Sequence, residues 1–182
     1  MENQVLSLIA GFLALVFVIF AYFTSKKNFL VFQALCIIFL IISYFFNLQF
    51  FAVVGMTISL IRSLTFYFFE KKNINASIIW SFIFATLTTI SYVVVNFIIL
   101  GSAQPLDLLC LSALIMYAFI FRIRNLKIVR FTMLAPTILS ILFNILTGAA
   151  IFATMSYGFE LGANLVSIVK YDILKKNKPI KE

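Results

Sequence analysis

"ISLIRSLTFYFFEKKN", residues 58–73, sets one arginine, Arg62, in an uncharged run bounded by Phe50 and Phe51 before it and Phe68 and Phe69 after it. The run is apolar enough to enter lipid, yet it carries a guanidinium and closes on Glu-Lys-Lys-Asn. Its last part, "SLTFYFFEKKN" (63–73), returns as "SIVKYDILKKN" (167–177), with Ser, Tyr and Lys-Lys-Asn at the same spacing. An apolar segment with a charged end, repeated far along the chain, points to helices that cross a bilayer.

The rest of the chain is of the same kind. Of its 182 residues 64% are hydrophobic and 11% charged, and the mean hydropathy is +1.14. Soluble domains are about half apolar. Apolar runs of about 20 residues follow one another, broken by short polar clusters, as in a polytopic helical membrane protein. Barrel strands would alternate apolar with polar residues, and these runs do not. The net charge of +8 lies in short clusters at segment ends. That is how topology signals are distributed; a nucleic-acid groove would gather them on one face, so no nucleic-acid partner is expected.

Helices are expected near 4–23, 29–46, 50–69, 77–99, 106–121, 131–147 and 149–174, an all-α integral membrane protein with seven spans. The first apolar run has no basic region before it and no small-x-small site after it, so it reads as a helix that stays. From the N-terminus onward, Lys plus Arg in successive connections number 0, 2, 0, 2, 0, 4 and 0, with more in the tail "KKNKPIKE". All fourteen basic residues except Arg62 then lie near a cytoplasmic end if the N-terminus is outside and the C-terminus inside. Tyr22, Tyr67, Tyr171 and Trp80, near the same ends, fit an interfacial belt. The cluster "RIRNLKIVR" (122–130) reads as a topology determinant, with anionic-lipid binding as a second reading.

If the third span corresponds to the seventh, residues 4–73 form one three-helix repeat and 106–177 another, joined by a linker helix at 77–100 that carries no charge. Both triplets begin outside and end inside, so the repeats are parallel, and such proteins place a site near the midplane between them. Two charges lie deep in the spans, Arg62 and Glu160. Each costs about 2.5–3.5 kcal/mol at a helix centre on insertion scales, so each needs a partner or a function. Gly55, Ser59 and Arg62 share one face of their helix, and Glu160, Asn164, Ser167 and Tyr171 form a stripe on theirs. Arg62 and Glu160 are therefore expected to meet, either as an internal ion pair that fixes packing or as groups that bind or gate a solute. Gly158 and Gly162, on the opposite face from Glu160, give a small-xxx-small pattern for close helix packing.

Enzyme chemistry finds no foothold. The chain has no histidine, no clustered carboxylates, no Gly-rich phosphate loop and no cysteine motif, so no catalytic residue, metal or cofactor is expected. Cys36 and Cys110 lie inside apolar segments and read as small hydrophobes.

"IAGFLALVFVIFAYF" (9–23), "LIRSL" (60–64) and "YGFELGANLVSIVKY" (157–171) resemble the YgjV family of bacterial inner-membrane proteins. That family is similar in turn to the SWEET and PQ-loop transporters, with their three-plus-one-plus-three plan. The resemblance implies a multi-pass protein of the bacterial inner membrane that moves a small polar solute by alternating access. It places Asn164 at the position of a solute-contacting Asn and Ser59 at its equivalent in the first half, 105 residues earlier; the Lys-Lys-Asn echo gives a separation of 104 instead. Only Pro136 lies inside a span and the Pro-Gln pair is missing, a departure that bears on sugar as the solute. The other reading is a non-transporting membrane protein that packs against a partner or lipid.

Overall fold

A computed structural model describes residues 2–102, 104–148 and 151–174, and its regular structure is helical throughout. Seven α-helices follow one another among these residues: α1 (Glu2–Tyr22), α2 (Lys26–Phe46), α3 (Phe50–Lys71), α4 (Ile78–Val93), α5 (Asp107–Ile120), α6 (Leu126–Leu146) and α7 (Ile151–Ser167). α4 runs on as a π-helical segment, Val94–Ile99, and α7 as another, Ile168–Ile173. These bounds lie within a few residues of the expected ones, with one larger shift. α6 starts at 126 rather than 131, because the Asn125 side chain accepts a hydrogen bond from the Lys127 N–H at 3.0 Å and caps the helix inside the basic cluster.

Helix is what lipid demands of such a chain. A backbone N–H or C=O left unpaired in hydrocarbon costs several kcal/mol, and a helix satisfies them within one segment. Five spans are long and apolar enough to cross a membrane: Gln4–Tyr22, Lys26–Phe46, Phe50–Lys71, Ile78–Ile99 and Leu126–Leu146. The distribution of side chains agrees. Phe20, Phe45, Ile79, Phe82 and Ile98 lie exposed on the outside, while Ser43, Ser59, Arg62, Asn96, Asn144 and Glu160 are buried within. A soluble protein does the reverse.

The packing order makes a ring. α1 packs on α2, α2 on α3, α3 on α5, α5 on α6, α6 on α7 and α7 back on α1. α4 sits outside it, against α3 and α5, and buries one face through Ser81, Phe84, Thr88, Ser91 and Tyr92. The basic connections share one end: Arg124 pairs with Glu70 at 3.4 Å, and the Lys26 ammonium lies 5.7 Å from the Phe121 ring centre. At the other end α2 and α6 finish alike. Their bounds differ by 100 residues, and each is followed by a residue with left-handed backbone, Leu48 (φ 57°) and Gly148 (φ 63°). Glycine meets that turn without strain, whereas Leu48 holds it with a Cβ in place.

Candidate functional site

Inside the ring, α2, α3, α5 and α7 line a partly open cavity of about 30 Å³, room for one or two water molecules. α2 contributes Gln33, Cys36, Ile37 and Leu40, and α3 contributes Met56, Ser59 and Arg62. Leu114 and Tyr117 come from α5, Phe121 from just beyond it, and Tyr157 and Glu160 from α7. The wall is an apolar and aromatic surface carrying one cation, one carboxyl and a few neutral polar groups.

The two deep charges both line this cavity, Arg62 at 2% and Glu160 at 5% exposure. They do not form the ion pair expected of them; among the described residues no Arg62 nitrogen lies within 4.0 Å of a Glu160 oxygen. Each instead reaches the helix packed beside its own. Arg62 Nη1 donates to the Leu114 carbonyl on α5 at 3.0 Å, and its guanidinium carbon lies 4.9 Å from the Phe121 ring centre and 5.9 Å from that of Tyr117. Glu160 Oε1 accepts from the Tyr22 hydroxyl on α1 at 2.7 Å. Gln33 Nε2 faces the same carboxyl without a well-formed hydrogen bond.

Ser59 lines the cavity, as expected of a solute-contacting residue, but Asn164 does not. Asn164 is fully buried and gives its Nδ2 to the Arg130 carbonyl at 2.7 Å, tying α7 to α6. The buried positions of α3, among them Ala52, Gly55, Met56, Ser59, Ser63 and Phe66, recur in α7 as Ala153, Ser156, Tyr157, Glu160, Asn164 and Ser167. The separation is 101 residues in these six; at 105 residues six of the eight buried positions of α3 also fall on buried positions of α7 and its π-helical extension, Ser59 on Asn164 and Arg62 on Ser167 among them. The Lys-Lys-Asn at 175–177, which suggested 104, lies outside the described residues.

Gly158 and Gly162 are placed differently from the expectation too. Both are exposed on the outer surface, and a Cβ at either would meet nothing within 4 Å among the described residues. The close approach falls at Gly55, where a Cβ would come within 2.6 Å of Leu114 Cδ1. Tyr22, expected in an interfacial belt, is 1% exposed and turned to Glu160. In a phenylalanine-rich run a tyrosine at a helix end reads equally as belt or interior, and no stripe in the sequence separates the two.

No curated protein and no solved structure matches the chain. The model of the Imp-YgjV family matches residues 5–175. With that match over nearly its whole length, and with helices able to cross a bilayer, the chain belongs to the Imp-YgjV family of bacterial inner membrane proteins.

Proposed function

We propose that this inner membrane protein is a transporter of a small polar solute, which it moves by alternating access through the cavity between α3 and α7. In this reading the chain crosses the membrane seven times, with its N-terminus outside and its C-terminus in the cytoplasm. α1–α3 and α5–α7 are parallel repeats in a SWEET-like arrangement, with α4 as linker. The matched bounds of α2 and α6 support the repeat, as do the shared burial pattern of α3 and α7 and the placement of α4 outside the ring. Arg62, Glu160 and Ser59 bind or gate the solute, while Asn164 holds α7 against α6.

One observation carries the proposal. Arg62 and Glu160 are buried at membrane depth in one cavity, yet neither neutralises the other. Purely structural charges gain most by pairing directly, because an uncompensated buried ion is strongly destabilising. Two charges kept apart across a cavity leave their binding capacity to something that enters it. At its present size the cavity must open further before a solute larger than a few atoms can pass.

The test is stopped-flow light scattering of proteoliposomes against a panel of small polar solutes. Entry of one of them well above protein-free vesicles, lost in Arg62→Met and Glu160→Gln at unchanged protein content, is the expected result. A chain that lets none of them enter is not a transporter. The second reading, a non-transporting membrane protein, draws on the partners that Arg62 already has in Leu114 and Phe121. It predicts that the same variants lower the protein level itself.

A further inference from the structure

Phe121 carries two cations over one ring. The Arg62 guanidinium carbon lies 4.9 Å from its centre, on the cavity side, and Lys26 Nζ lies 5.7 Å from it, at the basic end of the bundle. Lys26 also lies 5.2 Å from the Phe29 ring centre. Tyr22, Phe29 and Phe121 meet edge to face at 5.5 and 5.9 Å, so an aromatic layer lies at that end of the cavity, with Arg62 and Lys26 both against the Phe121 ring.

Neither cation has the partners its burial calls for. Lys26 is 8% exposed and Arg62 2%, and both Lys26 Nζ and Arg62 Nε lack an acceptor. Glu70 is paired with Arg124 at 3.4 Å, and Glu160 takes the Tyr22 hydroxyl at 2.7 Å. Ring faces compensate a buried cation only in part. Among the cavity-lining residues, the buried side-chain atoms without a hydrogen-bond partner are Arg62 Nε and Gln33 Nε2, both donors. A sugar would bring donors and acceptors in similar number, whereas an oxyanion brings acceptors alone. With Nη1 taken by the Leu114 carbonyl, the Nε edge of the guanidinium is the part left to meet such a group.

We propose that the solute of this site is a small oxyanion, a carboxylate or an inorganic oxyacid anion, which is met at the basic end by Lys26 and held inside by the Nε edge of Arg62, with the Phe121 ring as the gate between them. This rests on the reading of the cavity as a transport site. It adds the charge of the solute, its chemical class and the side on which it is first captured.

The test uses the full chain in proteoliposomes with labelled pyruvate, phosphate, glycine and glucose as separate probes. Pyruvate or phosphate should exchange well above protein-free vesicles while glucose and glycine do not, and the more active of the two names the source of the oxyanion. Lys26→Gln should raise the half-saturating concentration about tenfold, one decade of affinity, with the maximal rate retained. Arg62→Gln should abolish exchange, and if it fails to insert, Lys26→Gln still decides. Glucose or glycine moving in place of the anions overturns the oxyanion and leaves transport standing. If no probe moves, transport itself fails, and thermal unfolding of the purified protein with phosphate or pyruvate decides the site alone. A midpoint rise that Lys26→Gln removes supports the oxyanion site, and no rise overturns it.

Discussion

The hydroxyl of Tyr22, at the end of α1, donates to Glu160, midway along α7, at 2.7 Å, and both residues are buried. This bond joins the first helix of the chain to the last, and Ser156 Oγ on α7 reinforces the same seam by donating to the Gly11 carbonyl on α1 at 3.1 Å. The carboxyl that sequence alone set against Arg62 is thus held by a phenol at the basic end of the cavity.

Tyr22→Phe keeps the ring, with its edge contact to Phe29 at 5.5 Å, and removes only the donor to Glu160. The loss should be about 1.5–3 kcal/mol where the acceptor is charged and about 0.5–1.5 kcal/mol where it is neutral. Chemical denaturation in detergent, with Tyr22→Phe made in the native and in the Glu160→Gln background, separates the two. A smaller loss in the Gln background is the expected outcome. Equal losses would mean that Glu160 is not an anion at this bond.

Exchanging the charges, Arg62→Glu with Glu160→Arg, should not restore what either single change loses. A glutamate at 62 would face the Leu114 carbonyl and the Phe121 ring, both of which repel an anion, and an arginine at 160 would leave the Tyr22 hydroxyl without its acceptor. Each single change strands a buried charge, at about 3–5 kcal/mol, and the exchange replaces neither partner. Protein level in the membrane and size-exclusion profile should stay as poor as in the worse single variant. Full recovery would show that the two charges hold the bundle together by direct attraction.

Much of this architecture was legible because lipid imposes few choices. Apolar runs of about 20 residues had to be helices, and the spacing of basic clusters brought Lys26, Glu70 and Arg124 to one end, where Glu70 pairs with Arg124 and Lys26 lies against the Phe121 ring. The site was legible only in its charges and in Ser59. Arg62 and Glu160 stood out because a charge in lipid is costly, whereas Tyr22, Gln33 and Tyr157 carry no such mark.

The glycines separate inner from outer surface. Gly158→Ala and Gly162→Ala meet nothing within 4 Å and should be neutral or stabilising by up to about 1 kcal/mol, the helix-propensity gain. Gly55→Val should instead cost about 1–3 kcal/mol of overpacking, since even a Cβ there comes within 2.6 Å of Leu114 Cδ1. Gly55→Ala should be borne better, because that contact is the free end of a side chain that can turn. Thermal unfolding of the purified variants checks the series. Destabilisation by the two outer alanines would mean that something packs on that face in the membrane.

At the end opposite the basic clusters, Tyr44 Oη donates to Asn144 Oδ1 at 2.9 Å, while Asn144 Nδ2 donates to the Ser140 carbonyl at 2.7 Å. The two residues stand 100 apart, the separation that also relates the bounds of α2 and α6, and the bond ties α2 to α6. A cavity that opens toward this end must break it. Side-chain hydrogen bonds between membrane helices average about 0.6 kcal/mol, so Tyr44→Phe should raise the open population about threefold. Cys36, buried in the cavity wall, reports the opening directly once Cys110 is replaced by alanine. Its rate of modification by an impermeant thiol reagent, added from the face opposite the basic clusters, should rise by that factor in Tyr44→Phe and in Asn144→Ala. The double variant should rise no further, because one bond is lost in all three. An unchanged rate would show that the bond does not limit opening on this side.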